Sequence, residues 1–334
     1  MSTPSVFDRR RAVQSGMTLI ELMVAVAISL VVLYTVISLF GTTRMNNRMQ
    51  TGVSRINENT QMTAEILARD IRQIANMGCP ALGDVARGFR RLSRNSIEAT
   101  GAANTFSMSP TNVIQLLPAT VESKALAGTV VIEVTHAANQ GVHLAAKMTS
   151  RAALTDIFLR GDAGISMPSS ISSSNSYPVA IISDCNTAET FQVIDARKNP
   201  WSVAPFGALR VPYTTDARVM PVTKTRYFIG NYTGDIAARA IYRRRVLSDG
   251  YNWEPVPQPL IHNVQAMNIS VEVDTDGDFS ADTTVPYGST FDPAQVVGLT
   301  LGMTFVAPDN IRGTNGLPVT RSSSATVSLR ARNT

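Results

Sequence analysis

The chain has 334 residues, 44% of them hydrophobic and 16% charged, which is enough apolar content for a core in one large or two ordinary domains and excludes a disordered chain. Its formal charge of +5 comes from arginines scattered through polar and strand-like stretches, without a lysine-rich or aromatic-interleaved face, so nucleic acid is not an expected partner. The two cysteines, Cys79 and Cys185, stand in no CxxC or Cys/His spacing, which argues against zinc and leaves one disulfide or two free thiols.

Residues 1–16, MSTPSVFDRRRAVQSG, are polar and carry Arg9, Arg10 and Arg11, whereas Met17 to Phe40 is almost wholly apolar. At ~1.5 Å per residue that apolar run covers roughly 36 Å, enough to cross a bilayer of about 30 Å. The arginines predict a cytoplasmic leader and an exported remainder. A secretory signal would have a shorter core and a small-residue cleavage site, and no such site precedes GTTRMNNRM; the same lack counts against a twin-arginine signal. A plain anchor explains length and orientation but not Glu21, a carboxylate inside the apolar run that costs about 2.5–3.5 kcal/mol in lipid on insertion scales.

Beyond Gly41, Met45, Met49, Val53, Ile56, Thr60, Ala64, Leu67, Ile71 and Ile74 follow steps of three and four, so the helix is predicted to continue with one apolar face to Met77. Gly78 is its predicted C-cap, and Pro80 lies beyond. From residue 81 the pattern changes to short strand-like runs: TVVIEVTH, PVAIISD, TFQVIDA, TRYFIGN, RAIYRRRV, VQAMNISVEV, QVVGLTLGMTFVA and ATVSLRA. Several alternate in period two, as half-buried antiparallel strands do. RAIYRRRVLSDGYNWEPV reads as a hairpin around Ser248, Asp249 and Gly250 with its arginines on the solvent face, and SMPSSISSSNSYP as a loop.

Enzyme signals are weak. His136, His143 and His262 sit apart without triad or metal-ligand companions, and there is no phosphate loop, GxGxxG or GxSxG. The one constellation of note is DTDGDFSAD, where Asp274, Asp276, Asp278 and Asp282 alternate in a glycine-bearing turn and can converge on calcium. Phe279 and Val285 replace two positions that an EF-hand fills with Gly and Glu, so a solvated acidic turn between strands stands beside the calcium reading.

A basic leader ending in Gly16, then Met17, then TLIELMVAVAI with Glu21 as the fifth residue after the glycine, resembles the N-terminus of type IV prepilins. The resemblance implies cleavage after Gly16 by prepilin peptidase, methylation of the new amino terminus on Met17 where the family usually has Phe, and helical packing into a filament. It also implies that Glu21 meets the amino terminus of a neighbouring subunit once the chain leaves lipid, and so sets register. LIHNVQAMNISVEVDTDGDFSAD, DIRQIANMGC and SDCNTAETFQV are similar to stretches of minor pilins of the PilW type, which implies that Cys79 and Cys185 pair.

The resulting expectation is an α+β chain: a leader at 1–16, a transmembrane and filament-core half-helix at 17–40, an amphipathic half at 41–78 and a large antiparallel β-rich head at 79–334. Implied partners are other minor pilins, the major pilin, a tip adhesin, prepilin peptidase and the inner membrane, with the head in the periplasm and then at the pilus tip. No cofactor other than calcium is expected. The alternatives are a minor pseudopilin of type II secretion, a ligand-binding adhesin or DNA-uptake pilin, and a signal-anchored periplasmic enzyme.

Overall fold

A single helix, α1 (Leu19–Arg72, 54 residues), leads into a head built from strands. At 1.5 Å per residue α1 is about 81 Å long. The computed structural model describes residues 18–72, 114–137, 141–152, 154–165, 178–184, 187–209, 211–232, 239–246, 252–278, 280–287, 289–291, 295–307, 311–312 and 316–328. The predicted helix end at Met77, with Gly78 and Pro80, lies outside these residues.

The first half of α1, through Phe40, has no buried residue: apart from Glu21 and a few hydroxyls it is apolar all round, and no described residue of the head covers it. The second half docks side-on. Ile56, Leu67 and Ile71 of the predicted stripe are buried, and Met49, Val53, Thr60 and Ala64 are half-buried. Met45, counted in the same stripe, stays exposed because the head begins farther along the helix. At Gly52 the helix comes so close to the head that an added Cβ would sit 3.1 Å from Ile311 Cδ1 and 3.3 Å from Ala307 Cβ. Polar pins flank the stripe: Arg321 donates to Asn57 Oδ1 at 2.7 Å, Asn59 donates to the His262 carbonyl at 3.3 Å, and the Tyr227 hydroxyl donates to Asp70.

The strands are β1 (Ile114–Pro118), β2 (Val130–Ala137), β3 (Val142–His143), β4 (Ile157–Phe158), β5 (Val179–Ser183), β6 (Ala188–Lys198), β7 (Trp201–Pro205), β8 (Arg218–Asn231), β9 (Arg239–Arg245), β10 (Gln258–His262), β11 (Val264–Val273), β12 (Thr283–Pro286), β13 (Val296–Val306) and β14 (Thr320–Ser328). They form two sheets. A 10-stranded sheet runs β1-β2-β8-β5-β6-β7-β4, with β3 and β9 also on β8 and β10 on β9; a 4-stranded sheet runs β12-β11-β13-β14. Every described pairing is antiparallel.

The main core lies where α1 meets both sheets. Ile56, Leu67 and Ile71 gather with Ile132, Val134, Tyr227, Ile229 and Ile241 of the large sheet and with Ile269, Val271, Leu299, Leu301 and Phe305 of the small one. The period-two alternation sends Val131, Phe228, Ala240 and Tyr242 to the opposite face, where they form a smaller cluster. A separate core of Leu144, Ile157, Phe191, Val203, Tyr213 and Val219 fills the β4–β7 side.

Each of the eight predicted strand runs falls on a strand as far as it is described, although TRYFIGN is only the second half of the 14-residue β8 and the last three residues of ATVSLRA lie outside the described residues. One expectation about the arginines fails. Arg243 and Arg244 of β9 are half-buried instead of lying on a solvent face, and adjacent strand residues point to opposite faces. Arg244 turns inward because Glu122, buried at 3% exposure, accepts from it at 2.9 Å and from Arg226 at 2.9 Å. Arg226 also holds buried Glu133 at 2.7 Å and lies 4.1 Å over the Trp253 ring. Two buried carboxylates thus draw the arginines in, since a lone buried charge would cost several kcal/mol.

Candidate functional site

The start of α1 is built by Thr18 and Glu21. Thr18 Oγ1 accepts from the Glu21 backbone N–H at 3.3 Å, while Glu21 Oε2 accepts from the Thr18 backbone N–H at 2.9 Å and from its hydroxyl at 3.0 Å. This is a capping box, in which two otherwise unpartnered helix-end N–H groups are satisfied reciprocally. The carboxylate also sits where the helix dipole favours negative charge. The T-x-x-E spacing that encodes it is legible at 18–21, and it gives Glu21 a task within its own helix beside the expected pairing with another subunit. Gly16 and Met17 lie outside the described residues, as do Cys79 and Cys185.

The aspartate turn lies between β11 and β12. Backbone bonds from Asp274 to the Gln295 carbonyl at 2.9 Å and from Asp282 to the Val273 carbonyl at 3.0 Å hold its two ends. Gly277, with φ at +83°, makes the sharp bend, and its N–H donates to Asp274 Oδ1 at 2.6 Å. Asp274, Asp276 and Asp282 each offer a carboxylate oxygen within 4.8 Å of the others. Asp278 is not in that group; it accepts from the Ser280 N–H at 2.7 Å. Val285 is ruled out as a ligand position, because it is paired with Val271 in the β12–β11 ladder.

The electrostatics of the turn are uneven. A backbone N–H from Asp278 lowers the Asp276 carboxyl, but desolvation and the charges of Asp278, Asp282 and Asp274 outweigh it and hold the group above its usual range. Asp282 is held below that range by the backbone N–H and hydroxyl of Thr275, both at 2.7 Å. A hard cation would relieve the repulsion at Asp276, and oxygen-only donors suit calcium in particular.

The histidines stay apart. His136 is buried on β2 with Nδ1 2.9 Å from the Ala137 carbonyl, His143 Nε2 accepts from Arg218 at 2.9 Å, and His262 meets Tyr232 edge-on at 4.5 Å. Among the described residues, the three aspartates are the only acid, histidine or cysteine set close enough to share an ion.

The Prokaryotic N-terminal methylation motif matches residues 11–33, which takes in the end of the basic leader, Gly16, Met17, the Thr18–Glu21 cap and part of the bare half of α1. No curated protein and no solved structure matches the chain. An N-terminal helix long and apolar enough to span a bilayer, with none of its apolar window buried, is consistent with the membrane anchor of a type IV pilin. The motif on that helix, ahead of an antiparallel head, supports a type IV pilin-like protein, of a kind that assembles with other pilins and is handled by prepilin peptidase.

Proposed function

We propose that this chain is a minor pilin of the PilW type: a non-enzymatic, membrane-anchored subunit that joins other minor pilins in a tip complex and primes pilus assembly. The observation that carries the proposal is the bare, capped half-helix within the methylation motif, attached to a large head. A head of about 255 residues exceeds the ~100–150 of an ordinary domain and would crowd a filament of many copies, whereas a tip position escapes that limit. Prepilin peptidase cuts after Gly16 and Met17 is methylated; the head is periplasmic until it leaves with the pilus. Cys79 and Cys185 form a disulfide there, an oxidising compartment permitting it. Asp274, Asp276 and Asp282 bind calcium and tie the end of β11 to the start of β12.

Glu21 has two tasks in this proposal, capping its own helix and pairing with a neighbour's amino terminus. The pair Glu21→Ala and Glu21→Gln separates them, because glutamine can serve in a capping box but carries no charge. Both variants should insert normally, and both should be depleted from sheared pili relative to the parent. Recovery of parental incorporation by Glu21→Gln would leave the carboxylate with the cap alone. An uncut leader in membrane-extracted protein, read by mass analysis of the N-terminal peptide, would remove the pilin reading altogether.

A further inference from the structure

We infer that Arg44 and Arg48 form a binding site for the phosphate of an anionic phospholipid in the leaflet bordering the head; the inference rests on the membrane-anchor reading of α1. After Glu21 the sequence has no acidic residue until Glu58, and its first three charges beyond the apolar run are Arg44, Arg48 and Arg55. All three are exposed on α1. Among the described residues, none of them has a carboxylate within ion-pair distance, unlike Arg197, Arg226 and Arg244. Arg44 and Arg48 border a shallow, open hollow of about 590 Å³ along the helix surface beside Ile311, with Phe40 at its membrane end, Arg55 at the opposite end, and Asn47 and Thr51 as further hydrogen-bonding groups.

Depth selects two of the three. At 1.5 Å per residue, Arg44 is about 6 Å and Arg48 about 12 Å beyond Phe40, and Arg55 about 22 Å. The headgroup zone is on the order of 5–8 Å thick on each side of the hydrocarbon. Helix side chains lean toward the N-terminus, here the membrane side, so the guanidinium of Arg48 lies lower than its backbone and reaches that zone. Arg44 and Arg48, four apart, share a helix face and can grip one phosphate between two planar forks. The recognised class is an anionic headgroup such as phosphatidylglycerol or cardiolipin, because a zwitterionic lipid carries its own cation beside the phosphate. Close packing at Gly52 against Ile311 and Ala307 sets Ile311 beside the hollow.

The test uses the full chain in lipid nanodiscs of phosphatidylcholine with or without phosphatidylglycerol, and counts lipids retained on the protein by native mass spectrometry. The parent chain should retain phosphatidylglycerol in preference to phosphatidylcholine. At roughly fivefold per juxtamembrane arginine, Arg44→Gln with Arg48→Gln should lower that retention on the order of tenfold or more, while Arg55→Gln should match the parent. Equal retention of the two lipids by the parent, unchanged retention by the double variant, or the same loss from Arg55→Gln alone would overturn the inference. Displacement of the lipid by millimolar inorganic phosphate would overturn the lipid as the source of the anion. A parent chain that fails to enter discs of either composition defeats the anchor reading first, and the inference with it.

Discussion

The two halves of α1 are one continuous helix in two environments. From Leu19 to Phe40 every residue is exposed, and the side chains are apolar in all directions; from Met49 to Ile71 only one face is apolar, and it is covered by both sheets. Among the described residues the first half has no partner, so its apolar surface suits lipid or other helices, while the second half is part of the head. Four measurements test how sharp that boundary is.

The largest effect should come from the docked stripe. Leu67→Ala removes a side chain that is 1% exposed and should destabilise the head by about 2–5 kcal/mol, read as a lower midpoint in denaturant for the detergent-solubilised chain. Leu30→Ala, at a residue 61% exposed, should leave that midpoint unchanged. Similar losses from the two variants would erase the boundary between the halves.

Next is the pin between helix and sheet. Burial, with help from Asp70, pushes the Tyr227 hydroxyl well above its usual range, so it stays a donor to the carboxylate. Tyr227→Phe should cost about 1–3 kcal/mol by leaving Asp70 short of a partner. Hydrogen exchange should speed up in the last turns of α1 ahead of the sheets. A uniform increase across the head would mean that the stem does not open separately.

A calcium ion at the aspartate turn would act away from the stem. At ten times its Kd the ion should add about 1.4 kcal/mol to the head. A chelator should reverse the gain, and Asp276→Asn should abolish it with Asp278→Asn largely retaining it. An unchanged melting temperature in calcium would leave a solvated acidic turn.

The smallest effect concerns pH. Burial holds His136 below its ordinary 6.5, against the Ala137 carbonyl and the charge of Asp70 and in the same direction as Arg245. The folded state therefore favours the neutral ring, and the unfolded chain binds the proton more readily. The contribution is complete above pH 6.5 and is lost as pH falls through the lower folded value. Melting of the parent should decline on acidification to about pH 5, and His136→Asn should flatten part of that slope.

What could be read from the sequence follows the range of the forces. The stripe of Ile56, Leu67 and Ile71 was legible because helical period is a local signal, as were β2, β5, β11 and β13, which are apolar runs without proline. Six strands were missed: β3 and β4, with two residues each, are too short to show a pattern, and β1, β7, β10 and β12 each contain a proline, with Pro118 and Pro286 on strands at sheet edges, Pro205 at the end of β7 and Pro259 at the irregularity in the β10–β9 register. Those are positions where a missing N–H costs little. The inward turn of Arg244 was not legible, since its partner Glu122 is distant in sequence and nothing near either residue announces the pairing. The aspartate turn was visible as a cluster, but only the fold of Gly277 separates Asp278 from the other three.

The side-on docking of α1 also has a mechanical meaning. Asn57, Asn59 and Asp70 pin the stem to three different strands or their ends over about 20 Å of helix, with the apolar stripe between them. Tension along the helix axis then loads these bonds in shear, all at once, instead of peeling them one after another. A head tethered in this way hands force to the stem across its whole contact, so that traction on a filament would strain many weak bonds slightly before any one of them breaks.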